Sequence, residues 1–552
     1  MMFFRRRRIE DGPSWHAECF IGIIAIISLT TLSPLPPSSR PRLLARLVAP
    51  VVAILIAVAG QTNAAIINAA SPALVDVASA VTLASDGDTV VVPAGTATWN
   101  STLFINKGIT LRGATTVDTS SGLGTTNDQT VIVDGSSATL LTGTFTPSQS
   151  FRLTGFTFRK GTSTTVQGVG VGLGGTCPSV RVDHCHFDQI YRNDQFNPHG
   201  WIYGVIDHCK FDSVNGAVAI HVAHDTWNNT QYGDGSWADS PYFGSEKFIF
   251  IEDNIFNTLA GVNGNIDCNQ GGRYVARYNS FFNSCPATHG NDSGGRARSS
   301  RALEFYNNTI NYTFAWPGNQ IRGGTAVLHH NTLTGSVTGL MALKCYRTWL
   351  TFAVFGCASG HNGFDSNDPN ALYASGTAAS PTTSGDTSTI TDTTKSWAVN
   401  QWANYSLTNT ATEYGSYVIS NTAHTITYDS AVTSGGNSLS FTAGQGYQIY
   451  KVLIPIDQPG RGKGDLLSGS TPVNSTTGTA AWPNQGLEPA YAWNNTLNGN
   501  NLHITGGGPT LKEGRDFYND TPMPGYTPYV YPHPLVSGVP AAPTNLRIAS
   551  GP

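Results

Sequence analysis

The chain has 552 residues and a formal net charge of −4; only 12% of its residues are charged and 60 are glycine. That length exceeds the needs of one small core, so several modules are expected. Charge well below the roughly 25% of average domains, with glycine above the usual ~7%, suits β-structure with many tight turns and an uncharged, hydrogen-bonding surface. The negative balance excludes a general nucleic-acid binder, which is normally strongly basic.

The N-terminus reads as a targeting region over residues 1–64. Arg5–Arg8 precede an apolar stretch from Phe20 to Leu32. A second unit follows: Arg40, Arg42 and Arg46, then Leu47–Ala59, then Thr62-Asn63-Ala64. Basic start, short apolar middle and small-residue exit are the parts of a secretory signal. Neither stretch reaches the ~20 residues of a comfortable membrane span. The expected mature chain is therefore secreted or on the cell surface, monomeric, and without a stable membrane span.

Ser71-Pro72 opens a short amphipathic segment to about Leu83, an N-cap residue followed by proline at the first helical position. Asp86-Gly87-Asp88 is a turn and Thr89–Val92 the first strand. The helix caps what would otherwise be an open sheet edge. Short strands continue at Ile109–Arg112, Thr130–Val133, Phe151–Phe158 and Val180–Phe187.

From there a corner signature recurs: Cys185-His186-Phe187, Cys209-Lys210-Phe211, Asn254-Ile255-Phe256, Asn279-Ser280-Phe281, Asn308-Thr309-Ile310 and Asn331-Thr332-Leu333. The first two copies are the most alike, Asp183-His184-Cys185-x-Phe187-Asp188 against Asp207-His208-Cys209-x-Phe211-Asp212. A period of roughly 20–30 residues with short strands and no helical pattern marks a β-solenoid. Each coil buries its apolar residues only by stacking on its neighbours, and an asparagine at one corner of successive coils can form an amide ladder. The expected fold is all-β: a right-handed parallel β-helix over residues 65–364 with an N-terminal cap helix and a small inserted β-module.

The regular coils end near Lys344. Residues 365–395 read as a linker, 396–452 as the small β-module, 453–538 as a loop-rich region packed on the solenoid, and 539–552 as a further linker. Cys19 falls in the leader, which leaves seven cysteines, an odd number. Cys185 and Cys209 share a corner as a disulfide or as two stacked thiols, the second favoured. Cys345 and Cys357 are the better-spaced pair for a loop disulfide.

Strand residues alternate inward and outward. Aligning the strands that precede the corner by Ile220, Ile266, Ala297, Ile321 and Leu343 turns His221, Asp267, Arg298, Arg322 and Lys344 outward in one column. Arg296 and Gln320 flank it, and His289 and Arg301 sit close in sequence. For a chain so poor in charge this density is unusual, and several cations in one column call for an anionic partner. A solvated sheet face would produce the same pattern, and a slip of one residue would turn every member inward.

Segment 245–311 resembles the pectate-lyase-like superfamily of right-handed parallel β-helices. Ser245–Phe256 looks like that family's repeated coil, and Arg296-Ala297-Arg298-Ser299-Ser300-Arg301 followed by Leu303-Glu304-Phe305-Tyr306-Asn307-Asn308 is similar to its pair of arginines five apart, an aromatic and Asn-Asn. The resemblance implies an arginine base (Arg296 or Arg301) and calcium held by acidic residues, with Asp267 as one ligand. The proline normally between the arginines is absent, and His221 stands where a second metal carboxylate is expected.

A polysaccharide lyase acting on a uronate polymer such as pectate or alginate is the leading reading. β-Elimination needs a base at the carbon beside the carboxylate and positive charge for the enolate. Arg298, Lys344, Arg296, Arg301 and His221 are the candidates for catalysis, Lys344 and His221 being chemically the easier bases because arginine stays protonated. Arg322, His289 and Gln320 would bind substrate. The alternative is a non-catalytic glycan-binding or adhesive surface protein. A glycoside hydrolase ranks third, since its carboxylate pair is not evident on the proposed face.

Overall fold

The computed structural model describes most of residues 64–537. Residues 1–63, 163–167, 289–297, 345–373, 451–456, 463–485 and 538–552, with some shorter stretches, lie outside the described residues. The two leader segments and the pair Cys345 and Cys357 fall there. No described helix is long and apolar enough to cross a membrane.

One coil contributes one strand to each of three parallel sheets. Val180–Asp183 joins sheet A, His186–Asp188 sheet B and Asp194–Pro198 sheet C, and the next coil repeats the order with Gly204–Asp207, Lys210–Ser213 and Val218–Ala223. Among the described residues sheet A has 12 strands, sheet B 11 and sheet C 7. The fold is a parallel β-helix.

Its interior is a stack of like on like. Phe158, Phe187, Phe211, Phe256, Phe281, Ile310, Leu333 and Leu497 pair in register down sheet B. The five phenylalanine rings lie face to face at 5.4, 4.6, 5.1 and 4.7 Å. The expected ladder is thus present and runs on at both ends, through Phe158 to Ile132 and through Leu333 to Leu497.

The corner between sheets A and B is a two-residue turn. Its first residue is left-handed: Gly155 (φ 76°), then His184 (50°), His208 (51°), Asp253 (58°), Tyr278 (57°), Asn307 (54°), His330 (55°) and Asn494 (53°). The second residue is the buried ladder member. Asn254, Asn279, Asn308, Asn331 and Asn495 accept the backbone N–H of the previous member at 2.8–3.1 Å. Each Nδ2 in the run up to Asn331 donates to the next Oδ1 at 2.8–3.1 Å. Cys185 and Cys209 fill this corner as free, buried thiols.

The cap helix spans Leu74–Leu83, two residues later than its signal. Ser71 still serves it: its Oγ accepts from Ala73 N and donates to Asp76. Lys107 closes the other end by donating to the carbonyls of Val81, Thr82 and Ala84.

Two boundaries differ from expectation. An antiparallel sheet with its own apolar core (Leu407, Val418, Ile426, Tyr428, Tyr447, Ile449) extends from Ala374 to Tyr450, so residues 374–391, read as linker, are strands. In Thr387–Thr391 the buried Ser388 and Ile390 alternate with half-buried threonines, the pattern of a strand with one inward face. After it the solenoid resumes: Ala490–Trp493 pairs with Thr325–His329, and Phe517–Asn519 pairs next. Asn494-Asn495-Thr496-Leu497 is one more corner motif, displaced by the insertion.

Residues 523–537 then strap across the outer face of sheet A. Arg277 donates to the carbonyls of Tyr529 and Val530, and Arg181 to those of Leu535 and Val536. Under the strap Glu304 accepts from Gly244 N and Tyr526 Oη. Burial pushes the Glu304 pKa up to about 7 against those two bonds.

Phe256→Ala should cost about 3–5 kcal/mol. Asn308→Ala should cost about 1–3 kcal/mol, because it leaves the Asn279 backbone N–H buried without an acceptor, while Asn279 Nδ2 keeps the carbonyls of Ile251 and Arg277. The shift of the denaturant midpoint measures both, and an unchanged midpoint would contradict the ladder's role.

Glu304 binds its proton more tightly folded than at the ordinary 4.5. Its stabilising contribution is present below pH 4.5 and is lost as the pH rises through about 7. Glu304→Gln should flatten the thermal midpoint across that window; an unaltered pH profile would argue against a protonated Glu304.

Candidate functional site

The expected column resolves into a strip on the outer face of sheet C and the short sheet that follows it. Ile220 pairs with Ile266, both buried, so their successors His221 and Asp267 face outward side by side. One coil back, Asp194 Oδ2 lies 3.1 Å from His221 Nδ1. Burial alone would lower the His221 pKa, but the bond to Asp194 and the charges of Asp267 and Asp194 outweigh it and raise it to about 9. The two carboxylates thus favour the protonated ring, whose Nδ1 faces Asp194 and whose Nε2 is buried.

Further along, Thr288 N donates to Gln320 O, and Arg322 N to Thr288 Oγ1. The Arg322 guanidinium lies 3.3 Å from Gln320 Oε1. Gln320 and Ile321 pair with Ala342 and Leu343, which carries Lys344 to the next coil of the same strip. His221 with Asp267, and Gln320 with Arg322 and Lys344, thus share one side of the solenoid.

Arg298 and Arg301 do not join them. Both are fully buried. Arg298 holds Asp457 with two nitrogens at 2.7 and 2.9 Å and Asp234 at 3.3 Å, 5.0 Å from the Trp237 ring. Arg301 lies 2.6 Å from Glu488 and donates to Asp239 O. The alignment failed here for a definite reason: the sheet C strand of that coil is Cys285–Pro286, paired with Gly264–Asn269. Ser299 instead bridges antiparallel to Asn269, beneath residues 234–239 and 457–462, so the outward offset does not apply. Arg296 and His289 lie outside the described residues.

The face also holds what the sequence reading omitted. Asp194 belongs to the strand one coil before the alignment began, and it supplies the second carboxylate thought to be missing. Asn197 donates to His221 O and so braces the same strand.

These donors do not fit calcium. That ion takes six to eight oxygens, whereas the space between Asp194 and Asp267 is taken by a cationic imidazole, and Asp267 Oδ1 accepts from Cys268 N. A second acidic cluster, Asp128, His186 and Asp188 on sheet B, is internally neutralised: His186 bonds Asp128 and Asp212 through its two nitrogens, and Arg159 bridges Asp128 and Asp188.

No family model matches the chain, and no curated protein does. Among solved structures it is similar to the PL6 family alginate lyase AlyGC, at 14% identity and a TM-score of 0.28, covering 51% of this chain and 41% of that one. It is similar also to an alginate lyase from Paenibacillus sp. str. FPU-7, at 14% identity and a TM-score of 0.25, covering 50% of this chain and 99% of that one. The chain thus spans less than half the length of AlyGC. At these scores the likeness says nothing about the site.

The stabilisation from His221 should be complete below pH 6.5 and lost as the pH rises through about 9. His221→Asn should remove this part of the pH dependence, at most about 3 kcal/mol, in unfolding curves taken from pH 6 to 10. An identical pH dependence in the variant would place the proton elsewhere.

Proposed function

We propose that this chain is a secreted carbohydrate-active β-helix protein that engages a uronate-containing polymer, of the pectate or alginate kind, on the sheet C strip and cleaves it by β-elimination. The observation that carries the reading is the strip itself: an imidazolium, a guanidinium and a lysine position on one side of the solenoid, in a chain with few charges to spend. Arg322, beside Gln320, would clamp the uronate carboxylate. His221, its Nδ1 on Asp194 and its Nε2 buried, would brace the strip, and water would protonate the departing glycosidic oxygen. Lys344 would remove the proton beside the carboxylate. No step is routed through calcium. Arg298 and Arg301 would act only by fixing the loops around the strip.

Binding without cleavage is the second reading. It is favoured by the same burial of Arg298 and Arg301, which withdraws two of the cations that enolate stabilisation would use.

Incubation with pectate and alginate, followed by absorbance of the unsaturated product, separates the two. For a lyase, Lys344→Ala and Arg322→Ala should each lower the rate by about 100-fold or more with little change in melting temperature, since surface changes cost little stability. For a binder, the same variants should elute earlier from immobilised polymer and no product should form. Neither product nor retention on any uronate polymer would refute both.

A further inference from the structure

A groove of about 570 Å³ opens at the edge shared by sheets A and B, away from sheet C. Its floor is the row of left-handed corner residues His184, His208, Asp253 and Tyr278, and its far wall is the exposed hairpin of Thr116–Asp118 and Thr125–Asn127, with Ser120 near the tip. We propose that this groove is a second saccharide-binding site, distinct from the sheet C strip.

The two histidines are set for recognition in the same way. His184 Nδ1 lies 2.8 Å from Asp183, and His208 Nδ1 2.9 Å from Asp207. Those carboxylates are fully buried and are themselves held by Arg152 and Arg181 at 2.7–2.9 Å. Each ring is thereby fixed in orientation through Nδ1, and both rings line the groove. The side chains stay 39% and 35% exposed. Such preorganisation spares a ligand the cost of ordering its partners.

The rings are parallel, 5.2 Å between centres and 5° apart in plane. Their in-plane lone pairs therefore run side by side and cannot converge on one ion at ~2.1 Å, which argues against a metal. Asp118 and Asp253 on the lining argue against a simple anion. What remains is a mixed set of imidazole nitrogen, carboxylate, hydroxyl and aromatic ring, the set that suits a hydroxyl-rich pyranose with an apolar face.

The aromatic end is built by the C-terminal strap. Tyr531 stacks on Tyr278 at 3.8 Å and donates to Asp253. Asparagine, which tolerates the left-handed region best among large residues, holds this corner at 307 and 494. A tyrosine at 278 is therefore not a demand of the turn. Four lining residues on successive coils, ~4.8 Å apart, span roughly 14 Å, and one coil is close to the length of one sugar in an extended chain.

That the sugar is a uronate rests on the function proposed above; the groove itself does not. The test is calorimetric titration of the whole chain with tetragalacturonate, tetramannuronate and cellotetraose. His184→Asn with His208→Asn, and separately Tyr278→Asn, keep corner-compatible residues. They should weaken one binding event at least about tenfold, the worth of one charged hydrogen bond or stacked ring, while Arg322→Ala leaves that event intact. Ser120→Trp, on the exposed hairpin, should block the groove without touching the corner and serves if a corner variant fails to fold. An event that survives Arg322→Ala but shows no uronate preference keeps the groove and fails the uronate reading. Binding lost with Arg322→Ala and unmoved by Ser120→Trp overturns the groove and keeps the strip. Absence of binding by all three probes, or saturable zinc binding abolished by the histidine variants with no saccharide effect, overturns the proposal.

Discussion

Everything in this fold hangs on the two-residue corner between sheets A and B. A turn so short forces one residue into the left-handed region and sends the next straight into the core, where its backbone N–H would have no partner. Asparagine meets both needs, because its Oδ1 takes the N–H of the coil before while its Nδ2 donates onward. An unmade bond of this kind costs about 1–3 kcal/mol when buried, so the corner tolerates few substitutes. Where cysteine replaces asparagine, at 185 and 209, the thiols make only long contacts, such as 3.4 Å from Cys209 Sγ to Asp207 O. Those two coils lean instead on the buried Asp183 and Asp207 beside them. The ladder also explains how a large insertion is absorbed: Asn331 bonds Asn495 as it would the next residue in an unbroken run.

The corner is also why the fold was legible. Asn-x-aromatic at a regular interval is a constraint written in the sequence, and the stack from Phe187 to Leu333 follows from it. The site was less legible, for the opposite reason. Outward residues of a sheet carry no such constraint, and the column was inferred from an offset that holds only within strands. It holds for His221 and Asp267, whose strands pair in register. It breaks at Arg298, because the chain there leaves the parallel coil to run antiparallel beside Asn269. No periodicity marks that departure: the step of 29 residues from Phe281 to Ile310 equals that from Phe158 to Phe187, where the coil is regular. His184 and His208 were visible as a repeat and were read only as one, since nothing in sequence says which corner remains uncovered.

Coverage then divides the surface. The strap from residue 523 to 537 closes much of sheet A, burying Phe250, Val275 and Tyr306 beneath it. The hairpin around Ser120 rises beside the corner. Among the described residues, the sheet C strip and the corner groove are polar regions with titratable groups on different sides of the solenoid. Two sites on one rigid rod that bind one polymer raise the retention of that polymer without any new contact, provided the chain can reach both.

The charge distribution sharpens the chemical question. With so few charges, this protein buries a large share of them: Arg192 with Asp134, Arg277 with Glu252 and Arg298 with Asp457 are all ion pairs out of solvent. A buried pair of this sort adds little net stability, because desolvation offsets most of the attraction, but losing one partner is costly. Their value is positional: each ties a loop or strap to a sheet at a fixed place. Two of the arginines that sequence would nominate, Arg298 and Arg301, are buried in such contacts. The histidines left on the two faces are each held by a carboxylate, His221 by Asp194, His184 by Asp183 and His208 by Asp207. The carboxylates beside them raise the pKa of His221 to about 9 and that of His208 above the ordinary histidine value.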